Sequence, residues 1–289
     1  MKNWDGTSKG TVLGYKIFLF CIKTFGTDLS YLILHLVSYY YYLFSKKNRD
    51  AITKFYIEAL NCSEKESAKL TRKNFFVFGQ TLLDRVAFLI GKENKITYTF
   101  QNEEYLFDII KNGKGGILLT AHIGNWETAG NLLKSRVTSK INVVMLDAER
   151  EKIKKYLDSS TGGSQFNIIP IKNDLSHVIS INNALNNNEL IVMHADRFME
   201  GAKYMEMNFF GKREKFPLGP FVIASKVNVP ITFVFAHKEK KHHYILSATL
   251  PIVAKMQPKE IAQKYIEELE KKVKQYPEQW FNYFSFYQQ

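Results

Sequence analysis

Cysteine is nearly missing from this 289-residue chain: there are two, Cys21 and Cys62, with no metal or redox spacing. That excludes a disulfide framework and a thiolate metal cage, and it suits a reducing, cytosolic surrounding. No Gly-x-Ser-x-Gly elbow occurs, and both cysteines fall in helical text, which argues against a covalent intermediate on Ser or Cys. The only glycine pair with a neighbouring hydroxyl, at 161–164, lacks the lysine of a phosphate loop. Acidic side chains are scarce, 28 against 40 Lys+Arg, and the resulting charge of +12 calls for an anionic partner. No nucleic-acid module is recognisable and the charge is dispersed, so nucleic acid is set aside. Residues 1–10 lack the cleavage site of a secretion signal. No apolar run reaches the roughly 20 residues of a clear spanning helix.

Aromatics, by contrast, are abundant. The 22 Phe and 16 Tyr crowd toward the ends of the chain, which favours a membrane interface as the anionic partner. Residues 12–22 form an apolar segment interrupted by Lys16, and 29–44 a longer one containing His35 and ending in four tyrosines before Lys46 and Lys47. Both read as helices lying in or dipping into the interface, with Tyr and Lys at headgroup level. An ordinary buried helix pair and a single tilted span over 29–44 are the alternatives. Residues 1–47 are therefore expected as a membrane-associated helical segment and 48–289 as one α/β domain, with 48–97 as its helical lead-in. Ser63 followed by Glu66 predicts a capping box, and Phe75, Phe76, Phe78, Leu82, Leu83, Val86 and Leu89 recur at core-helix spacing. Arg72, Lys73 and Arg85 on these helices read as solvated charge.

From residue 98 on, strands and helices alternate: strands at 98–100, 117–121, 141–145, 166–170, 190–194, 231–236 and 244–248, and helices at 103–111, 125–134, 148–157, 175–185, 216–226 and 260–275. This pattern predicts an α/β fold with a mainly parallel, mixed central sheet flanked by helices. His237, His242 and His243 lie among lysines at irregular spacing and read as a solvated hairpin tip; no metal site is expected.

The stretch 115–128 stands out. An apolar strand ends at His122, where ligands of open α/β sheets gather. Glu127 follows in the first helical turn, able to fold back on the imidazole. Such a pair can run general-base chemistry, the carboxylate fixing the tautomer and stabilising the imidazolium. A structural histidine is the plain alternative. His194, just before Asp196 at another strand end, reads as a core histidine or a pocket wall.

The string His122-Ile-Gly-Asn-Trp-Glu127 resembles the His-x4-Asp/Glu block of the lysophospholipid acyltransferase superfamily, in its branch of late lipid A acyltransferases. Asp196-Arg197, then Asn208-Phe-Phe-Gly211 and Phe216-Pro-Leu-Gly-Pro220, are similar to the later blocks of that branch in order and spacing, and Trp4, Gly6, Ser8 and Gly10 to its amino-terminal text. The resemblance implies an acyltransferase-like fold at the cytoplasmic face of a bacterial inner membrane. It implies His122 as base with Glu127 as partner, and an acyl carrier protein or coenzyme A thioester as donor. A lipid would be the acceptor, and no metal or cofactor is needed. Gly124, Asn125, Trp126, Asp196, Arg197, Gly211, Pro217 and Gly219 are then expected to bind substrate, with backbone N–H groups of 124–126 meeting the oxyanion. The chain departs from the family at 146–151, Leu-Asp-Ala-Glu-Arg-Glu, which is acidic as well as basic where an Arg-rich segment is common. The acceptor is left open between a lipid A-type sugar and an amino-acid-derived or aryl-polyene lipid. A non-catalytic, basic and aromatic membrane-binding protein of the same fold is the alternative.

Overall fold

The computed structural model describes residues 12–93, 95–145, 166–172, 174, 176–197, 201–253 and 255–283, without the side chains of 12–15 and 134–135. The helix expected at 148–157, the departure at 146–151, the 161–164 turn, the Trp4–Gly10 text and the final aromatics from 284 lie outside the described residues.

Three helices come first: α1 (Val12–Phe44), α2 (Lys46–Leu60) and α3 (Glu64–Leu89). The two apolar helices expected at 12–22 and 29–44 are there, run together as α1 across a kink at Gly26, whose φ of 76° and ψ of −174° are not helical. Glycine reaches that φ without a Cβ clash, so the chain passes there from one helix straight into the next. Lys16–Phe44 is thereby long and apolar enough to cross a membrane, by length and composition, at a mean hydropathy of 1.6. Leu19, Ile22, Tyr31 and Leu34 pack on Leu83, Val86 and Ala87 of α3. The other face leaves Phe20, Leu32, Leu36 and Phe44 between 63% and 77% exposed. Ser63 and Glu66 form the expected capping box at the start of α3.

Then follow β1 (Thr97–Gln101), α4 (Glu104–Lys111), β2 (Gly116–Thr120), α5 (Trp126–Arg136), β3 (Ile141–Met145), β4 (Asn167–Pro170), α6 (Ser176–Asn186), β5 (Leu190–His194), β6 (Tyr204–Phe209), β7 (Lys212–Pro217), α7 (Leu218–Lys226), β8 (Ile231–Lys240), β9 (His243–Ala248) and α8 (Pro258–Gln275). Seven strands form a sheet in the order β1-β9-β8-β2-β5-β3-β4. Every pairing is parallel except β8 with β9. The central strand β2 is buried at every residue, as its apolar run demands. Ile117 and Leu119 join Ile191, Met193 and Phe233 under α6, α7 and α8; Leu118 faces the other way with Val143 and Val192, under α4 and α5.

Two expectations fail. Phe216 and Pro217 do not open a helix; they end β7, which pairs with β6 through a turn at Phe210 (φ 50°) and Gly211 (φ 78°). Two successive positive φ values are the hairpin turn that matches strand twist. Nor is the histidine-lysine stretch 237–243 a solvated tip throughout. β8 runs on to Lys240, His237 is buried against Tyr276 at 3.9 Å between ring centres, and Lys238 is buried with its Nζ 2.5 Å from Asp84 Oδ2. An oppositely charged partner in α3 makes burial of the ammonium tolerable.

Candidate active site

β2 and β5 are neighbours in register, Thr120 opposite His194, and Ala195 N–H donates to Thr120 O at 3.0 Å. Two residues beyond each strand end, His122 and Asp196 therefore meet. His122 Nδ1 lies 2.8 Å from Asp196 Oδ1, and the His122 backbone N–H donates to Oδ2 at 2.9 Å. Trp280 Nε1–H donates to the same Oδ2 at 3.1 Å. Asp196 is fully buried. Burial alone would raise its pKa, but His122 and then Arg197 outweigh this and hold it well below the ordinary carboxylate range. The imidazole of His122 is pushed below 6.5 by burial and then by Arg197, against the pull of Asp196. A neutral ring giving its Nδ1–H to Asp196 leaves the Nε2 lone pair free to accept a proton. The side chain keeps 26% exposure, so it can be reached.

The carboxylate expected at this ring, Glu127, sits elsewhere. From the first turn of α5 its Oε2 pairs with Arg85 Nε at 2.5 Å, both side chains about one-fifth exposed. Arg85 is thus a tether between α3 and α5 and not the solvated charge expected. Parallel pairing of β2 with β5 brings the distant Asp196 to Nδ1, a contact that sequence spacing cannot display.

The other expected residues divide. Gly124 (φ 63°) is buried on β8, where an added Cβ would stand 1.7 Å from Ala236 O. Its close approach is to this strand, and its N–H is given to Gln279 O at 2.9 Å. Asn125 caps α5 through Thr128 N–H at 3.3 Å and donates to Thr81 O at 3.1 Å, while its own N–H goes to Ala236 O at 2.8 Å. Two of the three backbone donors expected for an oxyanion are therefore taken. Trp126 reaches the site: its ring meets His194 edge-on at 4.6 Å, and His194 lies 4.3 Å from the ring of His122. Arg197 donates from Nη2 to Phe281 O, beside Asp196. Gly211 forms the exposed hairpin turn, Pro217 caps α7 and Gly219 lies exposed in its first turn. These three shape the β6–β7 hairpin and the start of α7. Phe209 of the same block packs on Trp280 at 5.5 Å and so backs Asp196 from behind.

Sequence reasoning missed Trp280, the pairing of Asp196 with His122, and the packing of His194 between Trp126 and His122. The one available signal was that His122 and Asp196 each stand two residues past a buried apolar run. Among the described residues no group of three or more His, Cys, Asp or Glu is placed to hold a metal ion.

An apolar cleft of about 70 Å³ lies between the sheet and α5, with Thr120 and Trp126 in its lining. Leu118 and Thr120 of β2, Val143, Val192 and Val234 form its floor, and Trp126, Ala129, Gly130 and Leu133 of α5 its roof. Glu103, bound by Arg136 at 2.7 and 3.0 Å, stands at the other end of α5 from Trp126. Eleven helical residues span about 16 Å.

A histidine–carboxylate pair just beyond the carboxyl ends of parallel strands, with an apolar cleft under the following helix, defines an α/β protein of the open-sheet class. The sequence model of the bacterial lipid A biosynthesis acyltransferases matches residues 3–284, and the chain belongs to that family. No curated protein matches the sequence. Membership makes the protein a membrane-associated acyltransferase of the lipid A type, with an acyl donor and a lipid acceptor.

Proposed function

We propose that His122 is the general base in transfer of a fatty acyl chain from a thioester, on acyl carrier protein or coenzyme A, to a hydroxyl or amine of an envelope lipid. His122 Nε2 takes the acceptor proton as the acceptor attacks the thioester carbonyl; the C–S bond then breaks, and the departing thiolate receives that proton. Asp196 holds the ring through Nδ1 and stabilises the imidazolium, the part first expected of Glu127. Glu127 anchors α5 through Arg85. The acyl chain lies in the apolar cleft, and Trp126 stands where cleft and base meet. Arg197, beside Asp196, adds positive charge near a phosphate-bearing substrate. The proton transfer needs no metal or cofactor. In this reading the protein works on the cytoplasmic side of an anionic inner membrane, with the exposed apolar face of α1, its tyrosines and its flanking lysines toward the lipid.

The observation that carries the reading is the 2.8 Å contact between His122 and buried Asp196 just beyond the ends of two paired parallel strands. His122→Ala is expected to lose about 10²- to 10⁴-fold in transfer rate, the worth of a general base, with folding unchanged. Full activity in that variant would sink the reading; no thioester consumption by the wild type, with liposome binding intact, would favour a non-catalytic membrane binder.

A further inference from the structure

β5 presents alternate side chains to the cleft. Val192 lines it, and His194, two residues on, faces the same side. Thr120, another cleft residue, is the ladder partner of His194. Beyond stand the rings of Trp126 and His122, 4.6 and 4.3 Å away. A chain running from the cleft to His122 passes His194. Yet His194 Nε2 is sealed from solvent and has no hydrogen-bond partner in the structure. A buried polar atom left unpaired costs stability and calls for an explanation. Burial, and then His122, hold the His194 pKa well below 6.5. At neutral pH the ring is therefore uncharged, with one N–H to give.

We propose that His194 donates this N–H from Nε2 to the carbonyl oxygen of the acyl thioester as negative charge builds there. The proposal rests on His122 being the base. It answers the loss of the backbone donors of Gly124 and Asn125, already given to Gln279 and Ala236. Attack forms the bond from the acceptor heteroatom to the carbonyl carbon and moves the π electrons to oxygen, where His194 meets them. Collapse re-forms the carbonyl and expels the thiolate. His194 keeps its proton throughout, while His122 takes one and returns it. The orphaned nitrogen is filled when the thioester carbonyl moves past Trp126.

The test uses the full chain, a series of acyl carrier protein thioesters from C8 to C18, and a total bacterial lipid extract as acceptor. His194→Phe keeps the ring stack and removes the N–H. It is expected to lower kcat about 10²- to 10³-fold, the worth of an oxyanion donor, with KM little changed. Its Tm should equal or exceed the wild type, because the unpaired atom is gone. His194→Gln returns an N–H and should recover about tenfold of the loss. If the phenyl ring does not fit, His194→Met removes the donor equally. Wild-type kcat in a folded His194→Phe or His194→Met protein overturns the proposal, as does a fall in kcat that only follows a fall in Tm. His122→Ala run beside them separates the two ideas: full activity there defeats the acyl-transfer reading itself, whereas loss there with an unimpaired His194→Phe defeats only the role of His194.

Discussion

Asp196 and Glu127 carry opposite predictions at the scale of single side chains. Asp196→Asn removes the charge behind His122 and offers the wrong hydrogen-bonding group to Nδ1, so kcat should fall about 10²- to 10⁴-fold. Glu127→Gln weakens the pair with Arg85 and leaves the contact of His122 with Asp196 in place, so its kcat should fall far less, with the main effect on Tm. Steady-state kinetics of the two variants decides between them; equal losses would return Glu127 to the ring. The pH profile belongs to the same scale. His122 must be neutral to accept a proton, and burial and Arg197 hold its pKa below 6.5. Activity should therefore rise with pH through that depressed value and be level by about pH 7. Stability follows the same direction. His194 lies well below 6.5 and His237 at about 4, each because burial disfavours the charged ring. Between those values and 6.5 the unfolded chain binds more protons, so stability is fully present above 6.5 and is lost as the pH falls toward the folded values. The His122-to-Glu127 spacing was legible in the text, but the partner of the base was not, because Asp196 arrives from 74 residues away by strand pairing.

Helix α5 is the element on which the cleft depends. Its small residues Ala129 and Gly130 leave room in the roof, so Ala129→Phe would fill the space without touching His122. That variant should shift the preferred donor toward shorter acyl chains while keeping the rate on them, as read by mass spectrometry of the products. An unchanged chain-length profile would mean that the acyl chain lies elsewhere. The identity of α5, and its start near Asn125, could be read from the glycine turn and the cap. The hairpin β6–β7 could not be read with the same ease, since Phe210-Gly211 looked like part of a motif and not like a turn. Its alternating residues 204–209 held the missed signal. The split of α1 into two helices was legible, because the break between its two apolar runs falls at Gly26, whose backbone is not helical, and both runs then pack on α3.

Across the whole molecule, Asp84 links three layers. Lying in α3, it accepts hydrogen bonds from Tyr31 of α1, Lys238 of β8 and Tyr244 of β9. Asp84→Ala would leave the Lys238 ammonium buried without its counter-charge and should cost about 3–5 kcal/mol, measured by denaturant unfolding. Asp84→Leu with Lys238→Met should recover most of that loss, because an apolar pair of similar volume fits a buried site. No recovery in the double variant would assign the cost to the tyrosine hydroxyls instead. By itself the sequence determined the α/β class, most strand positions, the apolar amino terminus and His122 at a strand end. Those features rest on local periodicity and turn chemistry, which neighbouring residues carry. Only the tertiary structure decided that Asp196 bonds to His122, that Glu127 pairs with Arg85, and that the His194 ring stands between those of Trp126 and His122. Contacts between residues far apart in the chain are made by strand order and helix packing, and no local spacing encodes them.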